Sequence, residues 1–179
     1  MQIKKIRVLF VCLGNICRSP AAEGAFQNLI ELNELEEFFY VDSCGTGNYH
    51  IGELPHETTR KVAESRGITL THKCRQFILK DFERFDYIFV MDQNNYSNVV
   101  RLAENQEQID KVIKFRKFDP HSKGEPPDVP DPYSGPISTF EYVQDIVERC
   151  SASMLRHFIE KYKLYVPGAT EEEKEKQEE

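Results

Sequence analysis

The chain has 179 residues, 40% of them hydrophobic and 30% charged, which is ordinary for a soluble globular protein and enough for one substantial core. Its net charge of −7 is concentrated in residues 168–179, where six Glu and two Lys contribute −4 and leave about −3 for the rest. A body so mildly acidic argues against a nucleic-acid surface, and no run approaches the ~20 apolar residues that cross a membrane.

Ile6 to Val11 (IRVLFV) is a continuous apolar run, the pattern of a parallel strand covered on both faces. It follows Lys4 and Lys5, yet it is too short for a signal peptide and is interrupted by Asn15, Cys17 and Arg18. Ser19 before Pro20 predicts a helix start, with the hydroxyl as cap and proline at the first helical position. The helix continues to Leu32 with Ala22, Ala25, Phe26, Leu29 and Ile30 at helical spacing. Phe38 to Ser43 predicts a second strand, and Cys44 to Gly52 a glycine-bearing loop. His56 to Arg66 reads as a helix stopped by Gly67.

Phe85 to Met91 predicts a third strand, followed by Asp92 as cap of a helix through Leu102. Val112 to Phe115 is a fourth, shorter strand. Six prolines between Phe118 and Pro136 mark an extended loop. Ser138 to Glu141 has the capping-box spacing and predicts the start of a last helix. Its buried side would carry Phe140, Val143, Val147, Cys150, Met154, Leu155, Phe158 and Tyr162. Strands alternating with helices give an α/β fold: a single three-layer domain over residues 1–166, with a four-stranded parallel sheet covered by helices on both faces. Residues 167–179 read as a disordered acidic tail.

Five cysteines, an odd count without C-x-x-C spacing, fit reduced thiols in a cytoplasmic setting and offer no zinc motif. No metal or cofactor is expected. One of them opens the most informative segment, VCLGNICRSP at 11–20. Cys12 lies at the end of the first strand, six residues before Arg18, with Leu13, Gly14, Asn15, Ile16 and Cys17 between them. In a parallel sheet, ligands gather beyond the carboxyl ends of strands, where strand order reverses. A loop there can ring a phosphate with backbone N–H groups. The helix N-terminus and Arg18 would favour both the phosphate and a thiolate on Cys12. Arg18 matches two phosphate oxygens with its planar fork. Asn15 suits a left-handed turn, and Ser19 could direct a hydroxyl at the Cys12 sulfur. Phosphoryl transfer also needs a general acid, and the proline-rich loop offers Asp131, Asp128 and Asp119, among which spacing does not decide.

VCLGNICRSP, together with DS at 42–43, THK at 71–73, FDYI at 85–88, MD at 91–92 and DPY at 131–133, resembles the low-molecular-weight protein tyrosine phosphatases. The resemblance covers about residues 5–164. It implies Cys12 as nucleophile, Arg18 as phosphate ligand and Asp131 as general acid, in a metal-free hydrolysis of phosphotyrosine that releases inorganic phosphate. Phosphotyrosine proteins are the implied partners, and weak self-association through the active-site face is a family trait. The loop from Leu13 to Ser19 would bind phosphate, supported by Asn15, Ser19, Ser43, His72 and Asp92. Ile16, Tyr49, Ile51 and Tyr133 would wall the aryl ring. Tyr49 and Ser134 stand where many eukaryotic members carry Trp and Tyr. The resemblance also implies a reversible disulfide between Cys12 and Cys17, although Cys17 reads equally well as a small loop-filling residue. Cys44, Cys74 and Cys150 read as packing residues. A thioredoxin-coupled arsenate reductase shares the loop but needs relay cysteines around residues 80–90, where this chain has none. A silent phosphotyrosine-binding module would be expected to lack Cys12 or Asp131. The G-x-x-x-x-G-K-[ST] pattern of nucleotide P-loops is absent.

Overall fold

Alternation decides which face each residue of the first strand serves. In β1 (Ile6–Cys12), Ile6, Val8, Phe10 and Cys12 point into one apolar core, while Leu9 and Val11 point into another. A strand with a core on each side has no polar face to display, which is why this run is apolar from Val8 onward; Arg7, near its start, is part-exposed and pairs with Asp86 at 2.9 Å. The structure, a computed structural model, describes residues 4–165. The acidic tail expected at 167–179 lies outside the described residues.

Three further strands complete the sheet: β2 (Phe39–Gly45), β3 (Tyr87–Val90) and β4 (Val112–Lys114). Their order is β2-β1-β3-β4, and every pair is parallel. The chain therefore leaves β1 at the point where strand order reverses, as the parallel-sheet rule requires of a ligand site. One face is covered by α1 (Arg18–Leu32) and α6 (Ile137–Tyr162), through Ala22, Ala25, Phe26, Val147, Met154 and Phe158. Beside them, α2 (Glu57–Ser65) contributes Ala63 to the same core. The opposite face is closed by α3 (Asp81–Arg84) with Phe82 and by α4 (Gln93–Arg101) with Val99. A single turn, α5 (Gln106–Asp110), leads into β4.

Several local expectations need correcting. Helix α1 begins at Arg18 with Cys17 as its cap residue and no side-chain cap, so Ser19 is not the cap and Pro20 is the third helical residue. The Ser19 hydroxyl is withdrawn from capping because it turns toward Cys12. The capping box at Ser138 and Glu141 is not used either. Helix α6 begins two residues earlier, at Ile137 with Pro136 as its cap residue, and the Thr139 hydroxyl donates back to the Pro136 carbonyl at 2.5 Å. Tyr162 is 40% exposed, with its hydroxyl 2.5 Å from that of Tyr87, rather than part of the core. Cys44 belongs to β2 rather than to a loop, and Phe115 opens a 3-10 turn rather than ending β4. The other two caps stand as expected. Asp92 accepts from the Asn95 N–H at 2.7 Å, and Gly67 takes φ +79° after α2.

Candidate active site

The loop between β1 and α1 is held from outside by its carbonyls. Cys12 O accepts from Thr46 N–H at 2.9 Å, Leu13 O from Gly47 N–H at 2.8 Å, Asn15 O from the Cys74 thiol at 2.7 Å and Ile16 O from His56 N–H at 2.7 Å. In a trans peptide the next N–H points opposite the carbonyl, so the amides of Leu13, Gly14, Ile16 and Cys17 turn toward the loop's interior. A ring of inward N–H groups at a helix N-terminus is an anion site.

Asn15 makes the turn possible. Its φ is +57°, a left-handed conformation that asparagine tolerates better than most residues, and it is fully buried. Both ends of its amide are used. The Nδ2 donates to Ser19 Oγ and to Ser43 Oγ, each at 2.9 Å, while Oδ1 lies 2.8 Å from His72 Nε2 and accepts from Arg75 N–H at 3.0 Å. Ser19 Oγ in turn lies 3.0 Å from Cys12 Sγ and 3.3 Å from Cys44 O. Asn15, Ser19, Ser43 and His72 thus form one connected network behind the sulfur.

Arg18 is 3% exposed, an expensive place for a charge unless it is paired. Its Nη1 donates to Asp92 Oδ2 at 2.6 Å and to Val129 O at 3.1 Å. Asp92 therefore serves twice, as cap of α4 and as partner of Arg18. The other end of the fork, Nη2, lies 3.8 Å from Asp131 Oδ2. The three aspartates of the proline-rich loop now part company. Asp119 is buried between Arg116 and Arg149, which hold its carboxyl well below the ordinary range despite burial. Asp128 is paired with Lys114 at 2.7 Å and accepts from Gln93 N–H, which also lowers it. Only Asp131, about half exposed, borders the same cleft as Cys12.

That cleft has a volume of about 310 Å³. Its lining includes Cys12 and Arg18, both buried, together with Ile16, His50 and the more exposed Tyr49 and Tyr133. Of the four residues expected as aryl walls, three are there. Ile51 is 59% exposed and does not border the cleft, and His50, which sequence reasoning passed over, does. The His50 ring lies against Gly14, with Nδ1 2.6 Å from Glu53 Oε2.

Cys12 and Cys17 are both free thiols. Cys17 is packed with Ile16, Val62, Cys74 and Phe140, and burial pushes its thiol up to about 12. Its surroundings support the loop-filling role. Cys74, by contrast, is more than packing, because its thiol holds the Asn15 carbonyl.

Four further residues were missed. Gly45, at the end of β2, abuts the loop so closely that a Cβ there would lie 2.6 Å from Leu13 O. Glu23 and Asp42 flank the far side of His72, with carboxylate oxygens 3.3 and 3.4 Å from Nδ1. Arg75 pairs with Asp42 at 2.9 Å. Burial pushes the Glu23 carboxyl up to about 8, with Asp42 adding to the effect, and burial also pushes His72 down. Both shifts favour a proton on the Glu23 carboxyl over one on the His72 ring. A signal for Glu23 was available: it is four residues after Ser19 on one helix, hence on the same face.

Comparison with known proteins gives a consistent picture. The family model described as low molecular weight phosphotyrosine protein phosphatase matches residues 7–164. The chain is similar to the low molecular weight phosphotyrosine protein phosphatase of Schizosaccharomyces pombe, at 46% identity over 133 residues, covering 74% of this chain and 83% of the relative. It is 37% identical over 149 residues to the Homo sapiens protein of the same name, covering 83% and 92% respectively. Among solved structures, the protein tyrosine phosphatase from Entamoeba histolytica with Hepes in its active site superposes with a TM-score of 0.81 at 38% identity. That match covers 89% of this chain and 100% of the other.

Proposed function

The chain belongs to the low molecular weight phosphotyrosine protein phosphatase family, and from that membership we propose that it hydrolyses phosphotyrosine in proteins through a cysteinyl-phosphate on Cys12. The observation that carries this is the meeting of three groups at one cleft: a sulfur at the loop's centre, a buried guanidinium beside it and the one loop aspartate without a strong ion pair. In the first step the Cys12 thiolate attacks phosphorus in line, the bond to the aryl oxygen breaks, and Asp131 gives its proton to that oxygen. Arg18 and the inward amides meet the charge on the three equatorial oxygens, the work that metal ions do in other phosphoryl-transfer enzymes.

In the second step water attacks phosphorus, Asp131 takes its proton, the P–S bond breaks and inorganic phosphate leaves. The Ser19 hydroxyl, 3.0 Å from Cys12 Sγ, can donate to the departing thiolate. Specificity for the aryl ester follows from depth. Tyr49 and Tyr133 line the cleft that Cys12 also lines, and a phenyl ring would span such a wall where the shorter phosphoserine would not reach.

The test compares phosphotyrosine and phosphoserine peptides with a chelator present, for the wild-type protein and for Cys12→Ser. Turnover of phosphotyrosine alone, abolished in the variant with binding of phosphate analogues kept, is expected. Equal turnover of both peptides, loss of activity with chelator, or appreciable hydrolysis by Cys12→Ser would overturn it.

A further inference from the structure

Cys74 takes no part in the reaction just described, yet it joins two parts of the site. It is 3% exposed, in the segment after His72. Its N–H donates to Glu53 O at 2.8 Å, and its carbonyl accepts from Gly52 N–H at 2.8 Å. These two bonds clamp the loop that carries Tyr49 and His50. Its thiol then reaches the other way and donates to Asn15 O at 2.7 Å. The next residue reinforces the link, with Arg75 N–H on Asn15 Oδ1 and Arg75 O accepting from Gly45 N–H at 2.9 Å.

We propose that the Cys74 thiol is a positioning residue for phosphoryl transfer: its bond to the Asn15 carbonyl turns the 15–16 peptide so that the Ile16 N–H faces the bound phosphate. The proposal rests on the reading of this loop as the phosphate site. Planarity makes the link strict, since the Asn15 carbonyl and the Ile16 N–H belong to one peptide and point opposite ways. Asn15 sits at φ +57°, where a non-glycine backbone needs outside support to stay. The side-chain amide of Asn15 fixes its own position but not the rotation of the peptide beyond it; the thiol supplies that second constraint. The thiol also remains a donor, because burial pushes it up to about 11 and keeps the proton on sulfur at neutral pH.

The experiment uses the full chain with Cys74→Ala and Cys74→Ser. Three quantities are read: the inhibition constant of inorganic phosphate, kcat and KM for an aryl phosphate, and the amide NMR shift of Ile16. For Cys74→Ala, the phosphate constant is expected to rise about five-fold, as the loss of one buried hydrogen bond implies, with kcat falling similarly and the Ile16 amide moving. Cys74→Ser, which keeps a donor at this place, restores all three. Cys74→Val, which fills the space without a donor, behaves like alanine and replaces it if alanine does not fold. Alanine and valine variants with wild-type phosphate affinity and an unmoved Ile16 amide overturn the proposal, as does a serine variant no better than alanine. If the wild-type protein neither binds phosphate nor cleaves the ester, the phosphatase reading itself fails. The Ile16 shift in the free protein then decides the thiol contact separately.

Discussion

Replacing Gly45 by alanine adds one methyl group at the end of β2 and tests whether the phosphate loop is wedged against that strand. The new Cβ would lie 2.6 Å from Leu13 O, 3.1 Å from Asn15 N and 3.1 Å from Gly14 C. All three are backbone atoms, so no side-chain rotation relieves the contact. Real Cβ atoms essentially never come within 3.0 Å, so Leu13 O must retreat by at least about 0.4 Å. The strand is not free to yield instead: Gly45 N–H is bonded to Arg75 O at 2.9 Å, and Gly45 O accepts from Phe77 N–H at 2.7 Å. The displaced carbonyl is the one held by Gly47 N–H, so the 13–14 peptide rotates and the Gly14 amide swings off the phosphate. Loss of one such donor costs about 10²-fold in kcat, and the overpacking costs about 1–3 kcal/mol of stability. The assay is steady-state hydrolysis of an aryl phosphate, with phosphate inhibition and thermal unfolding measured alongside. Gly47→Ala is the control, because its Cβ meets mainly the Tyr49 ring, a side chain able to turn away, with Leu13 O at 3.3 Å. It should raise KM and leave kcat within a few-fold. A Gly45→Ala enzyme with kcat within about three-fold of wild type, or a Gly47→Ala enzyme equally slow, would refute the wedge.

Two other consequences can be measured. Asp131→Asn should slow esters of poor leaving groups by about 10²-fold or more while sparing those of good ones, since only the former need a proton on departure; equal losses across a leaving-group series would remove Asp131 from the acid role. Glu23→Gln should change how stability depends on pH. The folded protein keeps the Glu23 proton up to about 8 while the unfolded chain releases it near 4.5, so this group's stabilisation is full at low pH and is lost as pH rises through that window. His72, whose folded value is lowered from 6.5, acts with the opposite sign only below 6.5. Between pH 6.5 and about 8 His72 therefore does not offset the decline from Glu23, and in Glu23→Gln that decline should flatten in thermal unfolding measured across that range. An unchanged slope in the variant would show that the proton is held elsewhere.

The parts of the site that could be read directly are those whose cause is local. The run from Ile6 through Cys12, the turn at Asn15 and the helix after Arg18 lie within one stretch of chain, and each depends on residues at most a few positions away. Asp92 is similar, because a cap bonds its own helix. Even there, the local rule failed where a functional demand competed. Ser19 has the chemistry of a cap, but the same hydroxyl is drawn to Cys12 Sγ and Asn15 Nδ2, and one oxygen does not do everything. The Ser138 box failed for the reverse reason: Pro136 and Thr139 close the turn two residues sooner, and Ser138 is left inside the helix.

What remained hidden depends on partners far along the chain. Asp119, Asp128 and Asp131 are equivalent as letters in a proline-rich loop. They become different only when Arg149, thirty residues on, claims the first and Lys114 claims the second. The candidate for the acid is thus marked partly by subtraction: the carboxyl that borders the cleft with Cys12 is the one held only by a long 3.8 Å contact to Arg18. The same logic separates the cysteines. Cys44, Cys74 and Cys150 differ from Cys12 by no sequence signal except the loop that follows it, yet burial raises all three thiols, and Cys74 turns its retained proton into a hold on the loop itself. A buried polar group kept in its neutral form is a dependable donor, and one in contact with a strained peptide fixes geometry without sharing in the chemistry. Such a site is therefore built from two kinds of sulfur, one at the centre of the amide ring and one that props the ring from outside.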